Sequence, residues 1–202
     1  MVSQRAPLIV LTGGPGAGKT AVLEILSREV CSHVAVLPES AGILFGGGFW
    51  RVQTDEGRRA AQRAIYHVQR ELENVALSDD RYNAVVCDRG TLDGLAYWPG
   101  TFENFFSELS INREDELKRY EQVIHIRTPT DERWYNRRNP LRIETVEQAN
   151  EIDRKLELAW LGHSNRHFIQ NHTDFVSKAE TAVSLLLKAL PKCCLRRIEE
   201  VG

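Results

Sequence analysis

The chain has no long apolar run. Leu8–Leu11 is the only one near its beginning. It is too short for the core of a secretion signal, and no stretch approaches the ~20 residues that a membrane span requires. Cysteine is scarce and unpatterned. Cys31, Cys87, Cys193 and Cys194 include no Cys-x-x-Cys pair, so the histidines have no cysteine pair with which to complete a zinc-finger pattern. A disulfide scaffold and a structural zinc site are thereby excluded, and the expectation is reduced thiols in a soluble, cytoplasmic protein. Charge of one sign is also lacking: 26 basic and 28 acidic residues nearly cancel, so no global positive field exists to hold a nucleic-acid backbone. With 14 Gly and 7 Pro in 202 residues, collagen-like and disordered chains are ruled out. Repeats, low-complexity blocks and linkers are absent too.

What remains is the pattern of one compact domain over 1–202, of a length that buries a real core. Short apolar runs, Leu8–Leu11, Val34–Leu37, Ala84–Cys87, Val123–Ile126 and Phe168–Ile169, alternate with helical patterns. Runs of this kind suit strands buried on both faces of a parallel sheet. The clearest helix spans about Asp55 to Leu77, with Ala61, Ala64, Ile65, Val68, Leu72, Val75 and Ala76 on one face. Thr145 with Gln148, and Ser177 with Glu180, fit the capping box that opens a helix, and Pro191 stops the last one before a tail over about 191–202. The alternation predicts an α/β three-layer sandwich with about five parallel strands.

Gly13-Gly14-Pro15-Gly16-Ala17-Gly18-Lys19-Thr20 fits the phosphate-binding pattern G-x-x-x-x-G-K-[ST], followed by Ala21 and a periodic helix. Glycines let consecutive amides point at phosphate oxygens, and the helix start adds partial positive charge. Lys19 is expected to reach the β- and γ-phosphates of ATP, or GTP, and the Thr20 hydroxyl to bind Mg2+. Ala84–Asp88 is an apolar strand ending in a carboxylate, the second metal-holding position; the competing reading is a turn or cap Asp. Arg89, not Glu, follows. That argues against motor-type NTPases and suits a guanidinium placed on a phosphate.

Other candidates have plainer readings beside them. Gly46–Arg51 is either a loop that closes over substrate or a loose connection with its aromatics in the core. Arg58, Gln62 and Tyr66 share a helical face that lines an acceptor pocket or simply faces water. Asp93 accepts from a substrate hydroxyl or belongs to an ordinary Asp-Gly turn. Arg133, Arg137 and Arg138, with Arg142 beyond Pro140, form the richest basic cluster, a lid over about 131–142 or a solvated face. Asn171-His172-Thr173-Asp174 imitates a guanine-reading motif but has His for Lys.

Asp88-Arg89 resembles the corresponding stretch of nucleoside and nucleotide kinases such as thymidylate kinase. In deoxynucleoside kinases a Glu at the second strand end takes the acceptor's proton, so the resemblance makes Glu39 the general base; the plainer reading is a solvated Glu capping a helix near Ser40. Gly13–Thr20, Leu37–Ser40, Cys87–Tyr97 and Arg142–Leu161 together resemble small P-loop proteins usually labelled AAA-type ATPase domains but built like kinases. These are similar to the nicotinamide riboside kinase domain of the bacterial NAD repressor. The resemblance covers most of 6–190 and implies a kinase acting on a small-molecule hydroxyl. Lys19, Asp88, Arg89, Arg137 and Arg138 would then be catalytic, and Gly13–Ala21 with Arg133 would hold the nucleotide. Glu39, Arg58, Gln62 and Asp93 would face the acceptor. Some eukaryotic relatives resemble GTP-binding regulators, which keeps open a regulatory NTP-binding protein with slow hydrolysis and a protein partner; a monomer or homodimer suits either.

Overall fold

The structure, a computed structural model, describes residues 5–130, 145–171 and 174–195. The arginine cluster at Arg133, Arg137, Arg138 and Arg142, together with His172 and Thr173, lies outside the described residues. Five strands, β1 Leu8–Thr12, β2 Val34–Leu37, β3 Ala84–Asp88, β4 Gln122–Ile126 and β5 Arg166–Ile169, form one wholly parallel sheet in the order β2-β3-β1-β4-β5. The Val- and Ile-rich runs thus become strands as their composition predicts. The sheet's odd and even residues face different cores. Ile9, Leu11, Val86 and Ile124 pack against α1 (Lys19–Glu29) and α7 (Phe175–Ala189). Leu8, Val10, Val85 and Val123 face Leu92, Phe105 and Trp160. This is the expected three-layer sandwich.

The connection leaving β1 runs past β3 to β2, whereas the one leaving β3 runs past β1 to β4, so the chain leaves the C-terminal ends of these two neighbours in opposite directions. That reversal opens a crevice, the usual ligand site of such sheets. The elements around it are α2 (Ser40–Gly46), α3 (Asp55–Ser78), a 3-10 helix at Thr91–Tyr97 and α6 (Val146–Ala159). Two further helices, α4 (Phe102–Leu109) and α5 (Arg113–Lys118), complete the second layer. Among the described residues, no helix is long and apolar enough to cross a membrane.

Three sequence expectations need correction. The buried stripe of α3 is Ala61, Gln62, Tyr66, Gln69, Glu73 and Ala76, while Val75 is 67% exposed. The helix is turned away from its apolar stripe because its polar residues find partners. Gln69 donates to Glu73 at 2.9 Å, and Tyr120 donates to the same oxygen at 2.8 Å. Arg119 pairs with the other Glu73 oxygen. Tyr66 and Arg70 both reach Glu116 at 2.9 Å. The last helix begins three residues before its expected start. Asp174 caps it, accepting the Ser177 amide at 2.8 Å and the Ser177 hydroxyl at 2.9 Å. A carboxylate can take both donors and also suits the positive helix end. In the glycine loop, α2 runs to Gly46, and Trp50 is 82% exposed rather than sunk in the core. The Thr145–Gln148 capping box forms as its spacing predicts.

Glu73 is fully buried with three donors on it. Glu73→Ala is expected to cost about 3 kcal/mol of unfolding free energy, since Arg119 and Tyr120 would remain buried without their acceptor. Urea unfolding measures this; a loss below about 1 kcal/mol would show that the network is marginal.

Candidate functional site

The loop between β1 and α1 is shaped by two close approaches. Gly13 has φ +145°, and a Cβ there would lie 2.2 Å from the Ile126 carbonyl oxygen. Gly18 takes a left-handed φ of +98° as the N-cap of α1, and a Cβ on it would meet the Phe175 ring at 2.4 Å. The loop is therefore wedged between β4 and the start of α7, and any larger residue at either position would displace it.

A cavity of about 1140 Å³ opens over this loop. Its wall brings together Pro15, Gly16, Ala17, Gly18, Lys19, Thr20 and Ala21 with Glu39, Arg58, Gln62, Tyr66, Asp88, Arg89 and Asp93. Gly13 and Gly14 do not line it. The Gly14 amide, expected to face phosphate, instead donates to Asp153 Oδ1 at 2.9 Å.

Lys19 is buried and folds back so that Nζ donates to the Gly13 carbonyl at 2.8 Å. Burial, then the nearby Arg89, lowers its pKa to about 8, against the pull of Asp88, Glu39 and Asp93. Asp88 closes β3. Burial raises its pKa to about 6, with Lys19 opposing, and its Oδ1 is buried without a hydrogen-bond partner. A buried carboxylate oxygen lacking a donor, with the Thr20 hydroxyl on the same cavity wall, is a hard-oxygen set that fits Mg2+.

Arg89 adopts φ +75°, a left-handed conformation that costs a non-glycine residue on the order of 1–2 kcal/mol. The conformation aims its guanidinium between two acids: Nε donates to Glu39 Oε1 at 2.5 Å and Nη1 to Asp93 Oδ2 at 3.2 Å. Burial alone would raise the Glu39 pKa, but Arg89, then Lys19, hold it below the usual range. Asp93 faces the cavity, yet its oxygens are engaged by the protein. Thr12 donates to both, at 3.0 and 2.8 Å, and Trp160 Nε1 donates to Oδ1 at 2.6 Å. The carboxylate expected on a substrate hydroxyl is thus a tie between β1, α6 and Arg89.

Asp153 is the residue that sequence reasoning missed. Besides Gly14 it meets His125 Nε2 at 3.0 Å, Arg127 at 3.3 Å and Thr128 at 3.3 Å. Burial disfavours its charge, but His125, the Gly14 amide and Arg127 together lower its pKa to about 2. An available signal was an acid on the stripe Val146, Ala149, Asp153, Leu156, otherwise apolar and buried along α6. At the far wall, Asn171 donates to the Thr128 carbonyl and accepts from Lys178, both at 2.9 Å. Asn171 and Asp174, the ends of the guanine-like motif, are both occupied in building the wall.

A family model described as an AAA domain matches residues 8–178. The chain belongs to this AAA-domain family. Among solved structures, the AAA domain is similar to deoxyadenosine kinase from M. mycoides with bound dATP. The TM-score is 0.62 at 13% identity, covering 90% of this chain and 99% of that one. It is also similar to shikimate kinase from Acinetobacter baumannii in complex with shikimate, with a TM-score of 0.53 at 19% identity, covering 91% and 94%. These likenesses give the AAA domain a P-loop kinase fold. No match was found among curated proteins.

The Asp88 carboxyl is harder to ionise folded than unfolded, so between about pH 4 and 6 the folded state holds the extra proton. Its contribution to stability therefore falls as pH rises through that window. Without divalent cation, Asp88→Asn should stabilise the protein by ~3 kcal/mol at pH 7 and by almost nothing below about pH 4. Denaturant midpoints at the two pH values test this; a gain independent of pH would contradict it.

Proposed function

We propose that the protein is a Mg2+-dependent, ATP-binding phosphotransferase that moves the γ-phosphoryl to a hydroxyl of a small nucleoside- or riboside-like molecule. The observation that carries this reading is one cavity holding both halves of such a reaction. Its volume, about 1140 Å³, exceeds the ~300–1,000 Å³ typical for one ligand. The phosphate loop lies on one side, and Glu39, Arg58 and Gln62 lie on the side of α2 and α3.

The loop amides from Gly16 to Ala21 and the start of α1 receive the phosphates, while Lys19 swings from the Gly13 carbonyl to the transferring group. Thr20 and Asp88 hold Mg2+, which supplies positive charge to the phosphate oxygens when bound. Arg89 keeps Glu39 ionised at neutral pH and aims it across the cavity, where it accepts the proton leaving the acceptor hydroxyl. Arg58 and Gln62 orient the acceptor, Asp93 positions Arg89, and Arg133, Arg137 and Arg138 complete the charge around the phosphates. ATP is preferred to GTP in this reading, because Asp174 caps α7 with both carboxylate oxygens instead of facing a base.

A regulatory ATP- or GTP-binding protein is the second reading. The observation favouring it is apolar surface beside the cavity: Ile43, Trp50 and Val52 are exposed on α2 and the loop after it. That loop could report the state of the nucleotide to a partner.

Phosphorylation of a panel of nucleosides and ribosides with Mg-ATP separates the two. Lys19→Ala should weaken ATP binding at least ~30-fold. Glu39→Gln should lower kcat for acceptor phosphorylation by about 10²–10⁴ and leave the KM for ATP within about twofold. Hydrolysis of ATP without transfer to any acceptor would overturn the kinase reading in favour of the regulatory one.

A further inference from the structure

Three of the four cysteines gather at the edge of the sheet opposite the cavity. Cys31 follows the end of α1, and Cys193 and Cys194 close the short 3-10 turn Lys192–Cys194 beyond α7. The two segments pair as strands: Val30 bridges Leu195 in antiparallel sense, and the Cys31 amide donates to the Cys194 carbonyl at 2.9 Å. This register sets Cys31 directly opposite Cys194. Residues facing each other in such a pair have Cβ atoms ~4.5–5.5 Å apart, and a disulfide needs about 3.5–4.5 Å. A backbone approach of about an ångström, with rotation of the two side chains, brings the sulfurs into bonding range.

The surroundings of the two thiols differ in a way that fits a reactive and a resolving cysteine. Cys31 is partly exposed, whereas Cys194 is fully buried. The Cys31 sulfur accepts the His33 amide at 3.4 Å and faces His33 Nδ1 at 3.3 Å. The imidazole is thus placed to carry away the thiol hydrogen. Cys193 is exposed and points elsewhere, with its sulfur 3.6 Å from Asn83 Nδ2. A link between Cys193 and Cys194 would have to close a strained ring across one peptide bond, although their sulfurs lie 3.9 Å apart.

We propose that Cys31 and Cys194 are an oxidation site that a hydroperoxide converts to a disulfide. The Cys31 sulfur attacks the peroxide, its S–O bond forms as the O–O bond breaks, and the thiol hydrogen leaves with the second oxygen as water. The Cys194 sulfur then attacks the sulfur of the Cys31 sulfenic acid. The S–S bond forms, the S–O bond breaks, and a second water carries off the Cys194 hydrogen. Two thiols are oxidised, and one hydrogen peroxide is reduced to two waters.

The link joins two helices that frame the phosphate loop from the other end. α1 starts at Lys19, and α7 starts at Phe175 against Gly18. Cross-linking their far ends ties the last described turn to the first helix and shrinks the unfolded ensemble.

The test is peptide mapping of the full chain, under non-reducing conditions, after exposure to hydrogen peroxide. The expected product has lost two hydrogens in mass and two titratable thiols, with the peptides of Cys31 and Cys194 joined. Its Tm is higher by roughly 5–10 °C, a gain that a dithiol reductant reverses. Cys193→Ser should leave all of this unchanged, and Cys31→Ser should abolish both the link and the gain. A Cys193–Cys194 link would overturn the proposal. So would added oxygen on single cysteines without a link, or thiols unchanged by peroxide.

Discussion

The guanidinium of Arg89 lies between the carboxylates of Glu39 and Asp93, and the arrangement of the cavity follows from that contact. It fastens the end of β2 to the end of β3 and, through Asp93, to Thr12 on β1 and Trp160 at the end of α6. Three adjacent strand ends are thereby locked at one height. The backbone energy stored in the left-handed conformation of Arg89 is small beside the cost of leaving the buried Asp93 carboxylate without its cation.

A second carboxylate does the same behind the phosphate loop. Asp153 gathers an amide of the loop, a histidine of β4 and the arginine just beyond that strand. The loop is held in front by Lys19 on the Gly13 carbonyl and behind by Asp153 on the Gly14 amide. Asp88 is the contrast. It is buried like Asp153, yet one oxygen has no donor, and its charge is disfavoured where that of Asp153 is sustained. In a crevice of matched charges, the mismatched one is where the proposed Mg2+ would be held.

Much of this was legible in the sequence because local chemistry decides it. The runs at Val34–Leu37 and Ala84–Cys87 are strands with nearly the predicted bounds, since only a doubly covered sheet buries Val and Ile on both sides. The Thr145–Gln148 box depends on neighbours within a few residues, and the phosphate loop is recognised by its local pattern although Ile126 and Phe175 wall it from afar. What was not legible depends on partners far along the chain. The stripe of α3 is polar because Glu73 meets Arg119 and Tyr120, residues that no helical periodicity connects to it. The separation between Asp153 and Gly14 likewise hides their bond. Asp93, expected on a substrate hydroxyl or in an ordinary turn, is engaged instead by Thr12 and Trp160, whose arrival the sequence does not show. In each case a distant segment supplies the partner of a charged side chain.

The ring of Phe175 against Gly18 means that the phosphate loop, encoded near the beginning of the chain, is walled by one of its last helices. β1 also sits mid-sheet, waiting for β3 and then β4 to flank it. During synthesis the loop emerges early and spends most of translation without its neighbours. The phosphate loop thus takes its final shape only once α7 has packed against α1, so its geometry rests on a long-range contact and not on its own residues alone.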